Sequence, residues 1–226
     1  MNRPVRAVVF DLDGTLIDSY DAITEALNAA RARFGLPPVP RESVRRQVGH
    51  GLETLIEHHL GRERVDAGVA VFRSVYPTVM FEGTRPLPGV PDELRRLARA
   101  GLAIGVASNK PRRFILPLLQ HVGLGETVAA ARGPDDDLPP KPEPAMIHAV
   151  LDELGAPPDE AIYVGDMPLD AESGRRAGCR TWLVATGSAD RAELEAVPCV
   201  RIFSDLHELS RSLLEEPELP AVSGRG

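Results

Sequence analysis

Apolar residues along the chain fall into two rhythms that divide it into unlike parts. Short, near-continuous apolar runs occur at residues 5–10, 102–107, 127–131, 161–164, 181–185 and 199–203. Runs of this length without polar alternation predict strands buried on both faces. From residue 89 onward they alternate with segments of helical periodicity, several of which end on a glycine such as Gly123, Gly155 or Gly178. A residue tolerant of positive φ closes the last turn of a helix there. Alternating strands and helices predict βαβ units, so the expected fold class is α/β, a doubly wound, Rossmann-like parallel sheet.

Between the first run and Gly89 the rhythm changes. Segments 18–34, 41–60 and 62–76 carry helical periodicity with no buried strand among them. This predicts a small α-helical cap over residues 18–82, inserted into a core made of 1–17 and 83–216. The return through Glu82-Gly83-Thr84-Arg85-Pro86-Leu87-Pro88 is rich in Gly and Pro, and together with the entry after Leu16 it forms a candidate hinge. Asp205 followed by Glu208 has the spacing of a capping box and starts a last helix, after which 217–226 reads as a frayed tail.

A length of 226 residues fits one core domain with one insertion. The net charge of −7 argues against nonspecific nucleic-acid binding, which needs a basic face. The first apolar run is too short for a signal-peptide core, and no stretch approaches the roughly 20 apolar residues of a membrane span. A cytoplasmic monomer or homodimer without membrane or nucleic-acid partners is therefore expected. Cys179 and Cys199 lack metal-ligand spacing and read as reduced, partly buried thiols. Of the 26 cationic residues only Lys110 and Lys141 are Lys. A chain that uses Arg for every other positive charge directs attention to those two compact ammonium groups.

Four candidate motifs follow predicted strands. Asp11-Leu12-Asp13-Gly14-Thr15-Leu16 comes directly after the first, which puts two carboxylates where open α/β sheets bind ligands. Asp11 can act as a nucleophile, while Asp13, if held protonated, can donate to a leaving group and then deprotonate water. A bare Asp-x-Asp-Gly is as readily an exposed acidic turn, so this motif alone decides nothing. Val106-Ala107-Ser108-Asn109-Lys110 offers a hydroxyl and backbone N–H groups for phosphoryl oxygens, although a Ser after a strand commonly caps a helix. Lys141-Pro142-Glu143-Pro144 offers an ammonium that offsets repulsion between an anionic nucleophile and an anionic phosphate. Gly165-Asp166-Met167-Pro168-Leu169-Asp170 ends another strand with the hard oxygen donors that suit Mg²⁺.

In this order, and over residues 5 to about 205, the motifs resemble those of the haloacid dehalogenase superfamily. Within it the layout is similar to that of phosphoglycolate phosphatases: Ser108-Asn109-Lys110-Pro111, then Gly133-Pro134-Asp135-Asp136 shortly before Lys141-Pro142, then Gly165-Asp166 to Gly178-Cys179. The resemblance implies a Mg²⁺-dependent phosphatase that forms an aspartyl-phosphate on Asp11, with Asp13 as acid and base and with Ser108 and Lys141 on the phosphoryl group. It implies a metal site of Asp11, the backbone carbonyl of Asp13 and Asp166, with Asp170 beside them, and adds Thr15, Asn109 and Lys110 to the substrate site. Dehalogenases and phosphonoacetaldehyde hydrolases lack an acid two residues after the nucleophile, so Asp13 argues against both. A β-phosphoglucomutase-like phosphotransferase stays open, as does a phosphatase of a sugar phosphate, a nucleotide or pyrophosphate. A phospho-accepting receiver domain shares an Asp, a Ser or Thr, a Lys and acidic ligands, but has no use for a helical cap.

The expected substrate is a small anionic phosphate ester, most specifically a phosphorylated carboxylate such as 2-phosphoglycolate. Residues 25–64 hold seven Arg against five Glu within an acidic chain, together with His50, His58 and His59. In Arg45-Arg46-Gln47-Val48-Gly49-His50-Gly51 the two glycines would let a loop dip into the site, where Arg45 or Arg46 could grip a carboxylate and His50 could contact substrate. Arginines on an ordinary solvated helix face read the same way.

Overall fold

A computed structural model describes residues 2–198, 201–216 and 218–220. In chain order its strands are β1 (Asn2–Pro4), β2 (Ala7–Phe10), β3 (Ile17–Asp18), β4 (Arg85–Pro86), β5 (Ala103–Ala107), β6 (Ala130–Arg132), β7 (Ala161–Gly165), β8 (Arg180–Val184), β9 (Arg201–Phe203) and β10 (Glu218–Pro220). Its α-helices are α1 (Tyr20–Arg33), α2 (Arg41–Arg45), α3 (Leu52–Leu60), α4 (Val65–Val79), α5 (Val90–Arg99), α6 (Arg112–His121), α7 (Ala145–Leu154), α8 (Pro168–Ala177), α9 (Arg191–Glu195) and α10 (Leu206–Glu215).

Six strands form one sheet in the order β6-β5-β2-β7-β8-β9, with every neighbouring pair parallel. The chain leaves the central strand β2 toward β5 and β6 on one side and toward β7, β8 and β9 on the other. Such a reversal opens a crevice beyond the C-terminal strand ends. Phe10 of β2 lies level with Val106 of β5 and Val164 of β7, so the segments that follow these three strands emerge side by side. Ala7, Val8, Val9 and Phe10 are all fully buried, as a sheet covered on both faces requires. Val8 and Phe10 join a cluster with Leu94 and Leu97 of α5 and Leu206, Leu209 and Leu213 of α10, whereas Ala7 and Val9 join Met146, Ile147, Val150 and Leu151 of α7. Each large aliphatic side chain buried there contributes about 1.5–3 kcal/mol, which holds the sheet rigid beneath a site crowded with charge.

The helical segment sits over this edge. α1 aligns Ala22, Ala26 and Ala30 beside Ile23 and Leu27, and these small residues admit the close approach of α4, which buries Val69, Phe72 and Tyr76. Helical periodicity runs through 41–60, and the structure divides it into α2 and α3 on either side of the loop expected around His50. Gly49 and Gly51, with φ of 108° and 97°, take up backbone angles that L side chains rarely adopt, and so turn the chain between the two helices. The two crossings between core and helical segment, a candidate hinge by sequence, pair as the antiparallel ribbon β3–β4, with Ile17 opposite Pro86 and Asp18 opposite Arg85.

Other departures are local. The third core strand spans Ala130–Arg132 rather than 127–131. Glu218–Pro220, expected within a frayed tail, pairs antiparallel with Asn2–Pro4, because each segment offers the other a row of unpaired backbone groups. Pro217, the rest of that tail and Cys199 lie outside the described residues. Asp205 caps α10 by accepting from Glu208 N–H at 2.9 Å, but Glu208 returns its bond to Ser204 N–H at 2.7 Å rather than to Asp205. Burial pushes the Cys179 thiol up to about 12, so it is no nucleophile. Among the described residues no helix is long and apolar enough to cross a membrane.

One polar contact fastens α5 to α10. Buried Glu93 accepts from His207 Nδ1–H at 2.6 Å and from the Ser210 hydroxyl. Burial alone would raise its carboxyl, but the His207 and Ser210 hydrogen bonds outweigh it and hold Glu93 below its ordinary range. A depressed folded value supplies stability above the unfolded value of about 4.3 and loses it as pH falls through the folded one. Glu93→Gln is therefore expected to cost about 1–3 kcal/mol at pH 7, and in denaturant melts the deficit should begin to shrink near about pH 4 and disappear only as pH falls through the lower folded value.

Candidate active site

Asp11 continues the β2 ladder, its N–H bonding to Val164 O at 2.8 Å, and this delivers its carboxylate to the crevice. The chain then turns on Gly14, whose N–H bonds to Ile17 O at 2.8 Å, and brings Asp13 and Thr15 back over the strand ends. Lys141 Nζ lies 2.9 Å from Asp11 Oδ1 and donates to Asp170 Oδ1 at 2.7 Å. The approach to Asp11 is off the line of a hydrogen bond, so among the described residues that oxygen has a counter-charge but no aligned donor. Burial would lower the Lys141 ammonium, but the Asp11 and Asp170 carboxylates outweigh it and push it well up, which keeps it charged.

Asp166, fully buried, accepts from the Thr15 hydroxyl at 3.0 Å and from Ser188 N–H at 2.6 Å. Burial, then the charges of Asp170 and Asp11, push its carboxyl well above the usual range. Asp170 has both oxygens engaged: Oδ1 by Lys141 and by Tyr163 OH at 3.3 Å, Oδ2 by the backbone N–H groups of Asp166 and Met167, both at 3.1 Å. Asp170 thus orients the lysine and the loop after β7. One carboxylate oxygen each from Asp11, Asp166 and Asp170 can be found within 4.8 Å of one another. Three buried acids against one ammonium, an undonated oxygen on Asp11 and an all-oxygen donor set fit a hard divalent cation.

On the cavity side, Asp13 takes the Ser19 hydroxyl on one oxygen and lies 3.0 Å from Lys110 Nζ on the other. Lys110 donates to Tyr76 OH of α4 at 2.9 Å. Both lysines of the chain are therefore buried at the site. Ser108 is buried, and its hydroxyl accepts from Lys110 N–H at 3.3 Å, while Asn109 joins two loops, accepting from Lys141 N–H at 2.7 Å and donating to Gly49 O at 2.9 Å. The carbonyl of Gly49 shows that the loop around His50 does reach the core.

Its charged residues do not reach the cavity. A space of about 80 Å³ lies between Asp11, Asp13, Ser108, Asn109 and Lys110 below and Gln47, Val48, Leu52, Leu55, Phe72 and Tyr76 above. His50 and Arg46 are exposed, with Arg46 3.8 Å from Glu42, and Arg45 points to Glu42 and the carbonyl of Gly187. The cavity's arginines are instead Arg73 of α4 and Arg113 of α6. Periodicity places Arg73 one turn from Tyr76, but nothing in the sequence says that this face of α4 looks onto Ser108 rather than into solvent. Thr15, expected at the substrate, holds Asp166. Ser19, Tyr76 and Tyr163 were not legible as site residues, since a Tyr in an apolar strand or helix face has the signature of ordinary core.

Fold and site together define a doubly wound α/β protein with a buried cluster of aspartates at the switch point of its sheet. A family model for haloacid dehalogenase-like hydrolases matches residues 8–184, and the chain belongs to that family. It is a phosphoric monoester hydrolase. A phosphoglycolate phosphatase of Pseudomonas aeruginosa is 38% identical over 187 residues, covering 79% of this chain and 68% of that protein. An N-acetylmuramic acid 6-phosphate phosphatase of the same organism is 35% identical over 187 residues, covering 81% of this chain and 83% of that one. A Bacteroides fragilis protein assigned to the haloacid dehalogenase-like hydrolases superposes with a TM-score of 0.84 at 27% identity, covering 91% of this chain and 99% of that chain.

Proposed function

We propose that the protein is a Mg²⁺-dependent phosphatase that works through an aspartyl-phosphate on Asp11, with 2-phosphoglycolate as substrate. The observation that carries the reading is the buried Asp11 carboxylate at the end of the central strand, flanked by Lys141 and Asp166 and open to a cavity floored by Ser108 and Asn109. A carboxylate oxygen of Asp11 forms a bond to phosphorus as the bond from phosphorus to the alcohol oxygen breaks, and Asp13 gives that oxygen its proton. Water then attacks the aspartyl-phosphate, Asp13 takes a proton back, and phosphate leaves with Asp11 restored. Ser108 and Lys141 hold the phosphoryl oxygens in line during both steps. Mg²⁺ held by Asp11, Asp166 and the Asp13 carbonyl would supply positive charge beside the transferring group.

The names of the relatives support a phosphorylated acid as substrate. With Lys110 engaged by Asp13, the cations left to meet a carboxylate at the far end of the cavity are Arg73 and Arg113. Each is paired with an exposed acid, Glu53 at 3.0 Å and Asp135 at 3.3 Å, that a substrate carboxylate can displace. A phosphate-release screen with Mg²⁺ should rank 2-phosphoglycolate first. Arg73→Ala should raise its KM about ten-fold while changing hydrolysis of p-nitrophenyl phosphate, which has no carboxylate, less than about two-fold. A wild-type preference for N-acetylmuramic acid 6-phosphate would move the substrate to that second phosphorylated acid. Phosphate retained as an isomer would mark a mutase.

A further inference from the structure

The loop Thr186–Ser188 forms the back wall of Asp166. Ser188 N–H donates to Asp166 Oδ2 at 2.6 Å, and the Thr186 hydroxyl donates to Gly14 O at 2.7 Å, so the loop is tied both to the acid and to the turn that carries Asp13. A Cβ on Gly187 would lie 1.9 Å from Asp166 Oδ2, which leaves no slack between loop and carboxylate. From the opposite side two residues of the helical segment reach the same loop. Tyr20 OH lies 3.3 Å from the Ser188 hydroxyl, and Arg45 Nη1 donates to the carbonyl of Gly187. Arg45 is braced for this by Glu42, which takes Nε and Nη2, each at 3.1 Å, and so fixes the plane of the guanidinium.

We propose that Arg45 is a positioning residue for Asp166, a latch through which docking of the helical segment sets the affinity of the core for its divalent cation. The inference rests on the reading of Asp166 as a metal ligand. A displacement at Gly187 passes to Ser188 N–H and from there to Asp166 Oδ2, because the intervening backbone has no room to absorb it. Coupling of this kind is reciprocal, so bound cation must in turn favour the docked position of α2. Arg46, one residue on and exposed, makes no such contact and carries the same charge, which separates the latch from a general electrostatic effect.

Isothermal titration of the full chain with Mg²⁺ alone tests this without reference to turnover. Arg45→Ala should raise the Mg²⁺ Kd about five-fold or more, Arg45→Lys should recover part of that, and Arg46→Ala should stay within about two-fold of the unaltered chain. Hydrogen exchange on the unaltered protein supplies a test that needs no variant: Mg²⁺ should slow exchange of the amides of residues 43–48. Equal Kd values for the unaltered chain and Arg45→Ala, or exchange in 43–48 indifferent to Mg²⁺, would overturn the latch while leaving the metal site standing. No Mg²⁺ binding by the unaltered chain would overturn the metal reading and the latch with it.

Discussion

Asp11→Asn is expected to reduce phosphate release by on the order of 10⁴-fold or more, since removal of a catalytic nucleophile costs that much where it has been measured. An amide has no charge with which to attack phosphorus and, being neutral, holds a divalent cation more weakly than a carboxylate, yet it has the shape of the group it replaces. The packing around it should survive, because Asp11 sits at the end of a strand whose four residues are fully buried on both faces. Crowding of buried carboxylates makes a second readout informative. One oxygen each from Asp11, Asp166 and Asp170 fits within 4.8 Å, and Asp11 is one of the charges that push the Asp166 carboxyl up. Removing that charge relieves repulsion with Asp166 but also gives up the attraction to Lys141, so in chelator the variant should melt close to the temperature of the parent. A well-folded variant that still released phosphate within ten-fold of the parent would rule out Asp11 as nucleophile.

Chelation of divalent cations, and equally Asp166→Ala, should abolish turnover. A substrate phosphate approaching Asp11 meets acids with one ammonium between them, and each unscreened pair at 4 Å costs about 4 kcal/mol at an effective dielectric of 20. Lys141 cannot offset this alone because it already faces both Asp11 and Asp170. An uncompensated repulsion of that size corresponds to a rate loss of roughly 10³-fold, since about 1.4 kcal/mol is ten-fold. Mg²⁺ added back should restore the parent enzyme, and Asp166→Ala should need far higher concentrations. Unchanged turnover after exhaustive dialysis against EDTA would contradict the proposed site. Asp170→Asn should act differently, because both Asp170 oxygens are spent on Lys141, Tyr163 and two backbone N–H groups. It should lower kcat by misplacing the lysine, with a smaller rise in the Mg²⁺ Kd than Asp166→Ala gives.

The chain by itself determined the sheet and several of the acids and both lysines that gather at its edge. Unbroken apolar runs such as Ala7–Phe10 specify strands covered on both faces, and a parallel arrangement sends all their C-terminal ends to one edge. A residue directly after such a run has its place fixed by a few bonds of backbone, which is why Asp11, Ser108 and Asp166 were legible, and why the chain's two lysines stood out. Only the tertiary structure decided which side chains face them from the helical segment. Arg45, Arg46 and His50 look in sequence like a grip for an anion, yet Gly49 and Gly51 turn the loop so that its backbone, not its charges, meets Asn109. Arg73, Tyr76 and Arg113 border the cavity instead. Periodicity tells that a helix has a buried face, but the element it is buried against depends on the docking of segments far apart in the chain. Tyr76 meets Lys110 across 34 positions and Thr15 meets Asp166 across 151, contacts for which no local pattern carries a signal.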